Sequence, residues 1–260
     1  MLACGMTEAE APCALLDLGT NGELAVFNGT ELWCASTAAG PAFEGAGLTM
    51  GMPAVPGAIN HVERKGFRIG CTAIGGVPAK GICGSGLIDA AAVLRQSGVL
   101  DAEGSLQREG HPFRAMVCEI GGAPAVRFAG TGVLLTQADI RALQVAKAAV
   151  CAGLQMLLDR AEIRPEKLEK LFLAGGFGRF IRLESAAQIG LFPPALLGRT
   201  AAIGNAALDG AGLLALRPAR RERLLSLVGR IHTVSLAEEP AFEQAYLEGM
   251  RFPNENYMGR

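Results

Sequence analysis

Leu15-Leu16-Asp17-Leu18-Gly19-Thr20-Asn21-Gly22-Glu23 decides the fold. An apolar strand ends in a carboxylate, a turn of small residues follows, and a second β-prone run, Leu24 to Phe27, leaves it. Asn-Gly between two such runs is a strong hairpin signal, because both residues tolerate positive φ. A plain hairpin has no need of Asp17 at the end of a buried strand, where an ionised carboxylate costs several kcal/mol unless it meets a cation. A phosphate-binding hairpin does need it. Small turn residues let backbone N–H groups approach phosphate oxygens, and the carboxylate orients Mg²⁺ through its water shell. From this stretch alone, plain hairpin and phosphate loop stand level.

Composition sets the bounds. The 260 residues carry a formal net charge of −1, with 50% hydrophobic and 19% charged residues. This is a globular composition, large enough to bury one sizeable core or two modest ones. The 35 glycines and few aromatics favour tight turns and close backbone approaches, as in nucleotide-binding α/β proteins. Near-neutral charge leaves no footprint for nucleic acid or an anionic membrane. Arg217, Arg220, Arg221 and Arg223 read as one solvated helix face. Seven scattered cysteines, none in a C-x-x-C pair, point to reduced thiols in a cytoplasmic protein and exclude a local iron–sulfur motif. The three histidines form no metal signature, and neither a signal peptide nor an apolar run of membrane-spanning length is expected.

Working outward, residues 1–12 read as a loose leader. Cys13–Leu18, Glu23–Phe27 and Glu31–Ser36 form a meander, with Asn28-Gly29 as its second turn. The stretch Thr37–Gly57, rich in Gly, Ala and Pro, reads as a functional or mobile lid whose single charge is Glu44. Gly84-Ser85-Gly86 feeds an amphipathic helix: either an anion-binding helix start or a packing turn. Thr136-Gln137-Ala138-Asp139 is a capping box opening a long helix to about Ala161. At ~100° per residue, Lys147 falls inside that helix's apolar stripe, with Gln144 on its flank, so the ammonium must snorkel or meet an anion. Leu171–Ala174 is a short buried strand ending in Gly175-Gly176-Phe177, where a flat ring can lie against backbone. A weak strand near Thr200–Ile203 leads through Gly204-Asn205 into a helix so small-sided that it must pack closely on another helix.

The motifs DLGTNGE, STAAGPAFEGA, GICGSGLIDA, TQADIRALQVAKAA, LAGGFG and IGNAALDGA occur in that order between residues 17 and 211. Together they resemble the C-terminal part of the reductive activators of corrinoid proteins, also described as ferredoxin-linked ASKHA-domain proteins. The resemblance covers about residues 13–253. It implies an α/β, actin-like (ribonuclease-H-like) ATPase lobe, with an inserted α+β subdomain over about 37–135 and a tail at 254–260. It also implies that Asp17 orients Mg²⁺ and that Gly19, Thr20, Asn21 and Gly22 hold ATP phosphates. Gly175, Gly176, Phe177, Gly204 and Asn205 would line the rest of the nucleotide, with Gln144 and Lys147 reaching ribose or base. Ile203–Gly212 is similar to the second connecting helix of the superfamily.

Members of the family use ATP to drive one-electron reduction of a Co(II) corrinoid protein to Co(I), the electron passing through an N-terminal [2Fe–2S] domain. That domain's Cys motif and the first ATPase lobe are not recognisable in this sequence. The implied partners are a corrinoid protein and the missing lobe or ferredoxin domain; a homodimer is a further possibility. Two rival readings remain. One is a small-molecule kinase or activator ATPase using Glu44 as its cleft carboxylate. The other is a non-catalytic half-domain used for dimerisation or docking.

Overall fold

A computed structural model describes residues 1–175 and 180–253. Two 3₁₀ turns, Leu2–Cys4 and Met6–Glu8, precede strands β1 (Cys13–Leu18), β2 (Gly22–Phe27) and β3 (Leu32–Thr37). A 3₁₀ turn at Pro41–Glu44 leads to β4 (Ala58–Lys65), β5 (Arg68–Ala73), β6 (Gly81–Ile82) and helix α1 (Gly84–Gln96). Then come β7 (Val117–Ile120), β8 (Ala123–Arg127), β9 (Leu134–Thr136) and α2 (Gln137–Arg160). The chain closes through β10 (Lys170–Gly175), α3 (Leu183–Gln188), β11 (Thr200–Gly204), α4 (Ala206–Leu216), α5 (Pro218–Leu227), β12 (Ile231–Thr233) and α6 (Phe242–Met250).

The main sheet has the order β11-β10-β1-β2-β3-β12. β1, β10 and β11 run parallel, β2 runs against β1 and β3, and β12 joins β3 in parallel. Alternation along β1 splits the core between the two faces. Ala14, Leu16 and Leu18 join Leu24, Val26 and the apolar face of α2 in the larger cluster. Cys13 and Leu15 join Ala25, Leu32, Phe172, Ala174 and Ala206 on the other side. Met6 plugs that second cluster at 1% exposure. The first twelve residues are therefore turns packed on the sheet and not the loose leader expected, because Met6, with Met1, Ala3, Cys4 and Ala9 beside it, supplies apolar cover for an otherwise open sheet face.

Residues 37–135 carry two small sheets, β5-β4-β6 and β7-β8-β9, with α1 lying along β4. The apolar residues of this segment, among them Ile59, Leu87 and Val126, belong to the same cluster as Leu16 and Leu24. The insertion shares the lobe's core instead of forming a second one. The stretch 37–57 is likewise not a free lid. Phe43 is fully buried, and close backbone approaches at Gly45 and Gly51 leave no room for a Cβ.

Thr136 and Asp139 form the expected reciprocal cap of α2: Asp139 N–H donates to Thr136 Oγ1 (3.2 Å), and Thr136 N–H donates to Asp139 Oδ2 (2.8 Å). α2 does reach membrane-spanning length and apolarity, contrary to expectation. However, 72% of its most apolar window is buried inside the protein, as befits a central core helix.

The glycines at the start of α1 have a steric reason. A Cβ on Gly84 would collide with the Phe43 carbonyl oxygen, and one on Gly86 with the Ile59 carbonyl oxygen. Gly86→Ala should therefore cost about 3 kcal/mol or more despite its gain in helix propensity. Gly70→Ala, with open space around it, should stay within about 0.5 kcal/mol. Urea-unfolding midpoints of the two variants check this.

Candidate functional site

The carboxyl ends of β1, β10 and β11 meet at one edge of the sheet, the place where open α/β sheets bind ligands. In register, Asp17 lies beside Ala174, Leu18 beside Gly175, and Ala174 beside Gly204. Gly175 has φ +134°, and a Cβ there would strike the Leu18 carbonyl oxygen, so only glycine permits this contact. The phosphate-type hairpin and the glycine strand end are thus covalently distant but physically adjacent. Gly176 and Phe177 lie outside the described residues.

The turn Gly19-Thr20-Asn21 is closed by Gly19 N–H donating to the Asn21 carbonyl (3.0 Å). Neither Asn21 nor Gly22 adopts positive φ, so the Asn-Gly pair is not a mirror-image turn of the kind its composition suggests. Gly22 is small for a different reason: a Cβ would lie 3.1 Å from Thr37 Cγ2 and 3.4 Å from Val150 Cγ2. Segment 37–57 straps the turn. Gly40 N–H donates to the Thr20 carbonyl (2.8 Å), and Thr20 Oγ1 donates to Glu44 Oε2 (2.5 Å). Glu44, expected over the site, is therefore fixed to it.

Glu23 was not anticipated. Antiparallel register sets it directly opposite Asp17, which a count through the hairpin would have shown. Burial pushes the Asp17 carboxyl above its ordinary value, partly offset by the Met1 amine. Burial also raises Glu23, and the facing Asp17 charge adds to it. Two like charges face each other across the ladder, and a hydrated divalent cation would relieve them. Among the described residues no three carboxylate, His or Cys side chains converge into a metal cage.

Three expectations need correction. Lys147 Nζ donates to the carbonyls of Gly249 (2.5 Å) and Arg251 (2.6 Å) and lies over the Phe252 ring. Gln144 Nε2 donates to Glu103 O (3.1 Å) and Met250 O (2.7 Å). Both side chains are fully buried and bind the end of α6 to α2, so their hydrogen bonds go to protein carbonyls instead of serving the sheet edge at Asp17. Burial lowers the Lys147 pKa to about 8, while Cys151 opposes the shift. Gly84, Ser85 and Gly86 are likewise buried, with Ser85 Oγ donating to Asn60 O (3.3 Å); their helix start is a packing turn with no room for an anion. Asn205, at the sheet edge as expected, uses its Oδ1 to cap α4 by accepting from Leu208 N–H (3.0 Å).

A meander feeding two parallel strands, with a small-residue helix after the last of them, is the lobe architecture of the actin-like ATPases. The chain belongs to the family described as the C-terminal domain of RACo, the ASKHA domain, which matches residues 11–259. It is 36% identical over 255 residues to the corrinoid activation enzyme RamQ of Eubacterium limosum, covering 92% of this chain and 42% of that protein. It is 26% identical over 260 residues to a Methanosarcina barkeri protein named [Co(II) methylated amine-specific corrinoid protein] reductase, covering 91% and 45%. A solved reductive activator for corrinoid, iron-sulfur protein superposes with a TM-score of 0.89 at 28% identity, covering 98% of this chain and 42% of that one. The chain spans less than half the length of these relatives.

Two outcomes follow from the geometry. Because the Asp17 and Glu23 pKa values are raised, the stability they contribute is fully present below their ordinary values of 3.8 and 4.5 and is lost as pH rises through their folded values. Asp17→Asn should accordingly melt about 2 °C above wild type at pH 7 without Mg²⁺, the gap closing near pH 4, as differential scanning fluorimetry would show. Lys147→Met should cost about 2 kcal/mol and speed amide exchange at 249–252, while leaving any nucleotide affinity unchanged.

Proposed function

We propose that this chain is the ATP-binding lobe of an activator that couples ATP to one-electron reduction of a Co(II) corrinoid protein to the Co(I) state. The observation that carries it is the in-register seating of the Asp17–Gly22 hairpin against Gly175 at one sheet edge. Gly19, Thr20, Asn21 and Gly22 hold phosphate oxygens through backbone N–H and hydroxyl groups, and Gly175 forms the start of the adenosine wall. Asp17, with Glu23 facing it, orients the water shell of Mg²⁺. Mg²⁺ supplies charge neutralisation on the phosphates, so the protein's task is positioning. Glu44 now holds the Thr20 hydroxyl; a phosphate seated there makes Glu44 let go or share the ion, which links nucleotide state to the strap at 37–57.

The remaining parts come from outside this lobe: the first ATPase lobe, and the [2Fe–2S] centre that delivers the single electron to cobalt. α4 supports such a docking partner. Expected to pack closely on another helix, it instead leaves Gly210 and Gly212 facing open space and Leu208 and Leu216 at 67% and 82% exposure. An exposed apolar face of this kind marks an interaction surface. The seven free thiols favour a reducing, cytoplasmic setting.

Calorimetry of ATP·Mg²⁺ against the chain, with Asp17→Ala alongside, tests the assignment. Binding that Asp17→Ala abolishes supports it; equal binding by both removes Asp17 from the site. Binding by neither places the completed site between this lobe and its partner.

A further inference from the structure

Thr20 has one hydroxyl proton, and it is spent on Glu44 Oε2 at 2.5 Å. The other carboxylate oxygen, Oε1, covers the neighbouring residue, 3.5 Å from where a Cβ on Gly19 would stand. The turn read above as a phosphate cradle therefore already holds an anion, and the protein's own strap delivers it. Antiparallel pairing fixes the backbones of the other two carboxylates here, Asp17 and Glu23, in β1 and β2.

The strap backbone is pinned on both sides of Glu44. Phe43 is fully buried, with its carbonyl oxygen against Gly84 at the start of α1. At Gly45 (φ +75°) a Cβ would strike the Met52 carbonyl oxygen, and at Gly51 one would strike the carbonyl oxygen of Gly45. Ile82 N–H donates to the Met50 carbonyl (2.9 Å) and Met52 N–H to the Ile82 carbonyl (3.0 Å), which ties the strap to β6. Thr49 N–H donates to Asp139 Oδ1 in the cap of α2 (2.7 Å). Glu44 itself is exposed. A rigid backbone thus sets its carboxylate down at one place, and rotation about its own side-chain bonds takes it off again without moving the strap. A phosphate oxygen and Glu44 Oε2 cannot both accept the single Thr20 proton, and two anions on one turn repel each other. We propose that Glu44 is an affinity-setting residue, an internal competitor that occupies the phosphate turn and swings off it when phosphate binds. Of the two responses open to Glu44, the geometry favours release over sharing the ion. The proposal rests on the assignment of the Asp17–Gly22 hairpin to phosphate.

The test is calorimetric binding of inorganic tripolyphosphate, with and without Mg²⁺, to the whole chain as wild type, Glu44→Gln, Glu44→Ala, Thr20→Val, and Thr20→Val with Glu44→Gln. Glu44→Gln should bind tripolyphosphate·Mg²⁺ about tenfold more tightly than wild type, with a larger gain for the metal-free anion, whose charge is unshielded. Glu44→Ala, which also removes the acceptor for Thr20, should bind at least as tightly. On the Thr20→Val background no hydroxyl holds the carboxylate over the turn, so Glu44→Gln should change affinity less than about threefold. Equal or weaker tripolyphosphate·Mg²⁺ binding in Glu44→Gln would make Glu44 a bystander or a partner of the ion and would overturn the proposal. An undiminished gain on the Thr20→Val background would overturn it too. Where wild type shows no binding, Glu44→Gln should acquire it; if neither binds, Glu44 is not what closes the turn and the proposal falls. The phosphate assignment is read separately by adding Asp17→Ala to Glu44→Gln. Tripolyphosphate·Mg²⁺ binding that Asp17→Ala leaves unchanged would remove Asp17 from the site, whatever Glu44 does.

Discussion

Everything at the candidate site depends on the contact between Leu18 and Gly175. Two parallel strands bring their ends so close that the second strand's last residue has no space for a Cβ. That one steric constraint puts an acidic hairpin and the glycine end of β10 on a common edge. The neighbouring elements reinforce it: α2 fills one face of the sheet, while Met6 and Ala206 close the other. The turn beside Asp17 is strapped from above by Gly40 and Glu44, so its backbone arrives preorganised.

Much of this was legible in the residues. The meander, the capped α2, the Gly-ended β10 and the small-sided α4 all announce themselves through alternation, cap residues and glycine placement, signals that depend only on near neighbours in the chain. Asp17 stood out because a carboxylate ending a buried strand is costly. What escaped notice depended on distant contacts. The burial of Lys147 was foreseen, but its partners, the carbonyls of Gly249 and Arg251, are set by how α6 docks. Gly84 and Gly86 looked equally suited to an anion or to tight packing, and only the positions of Phe43 and Ile59 decide between them. Likewise, the Pro- and Gly-rich texture of 37–57 gave no hint that Phe43 nails it down.

The lobe treats its buried charges in two ways. Lys147 is saturated by carbonyls and serves as a rivet between helices. The acidic groups at the main sheet edge are left unbalanced, with Asp17 facing Glu23 across the ladder. Proteins satisfy polar groups where only stability is at stake and leave deficits where a ligand or a second conformation will settle them.

The pairing of β1 with β10 also has a consequence for biosynthesis. Residues 13–18 leave the ribosome well ahead of their parallel partner at 170–175, which follows only after the whole insertion and α2 have emerged. Until then β1 has one hydrogen-bonding flank bare, while the turn at Met6 covers one of its faces. A nascent chain therefore cannot assemble the sheet edge piecemeal; closure of a long loop must come first, at the entropic cost and delay that such closure carries. The amino-terminal turns then serve as a temporary cover, shielding a sticky strand from neighbouring chains while it waits for its mate.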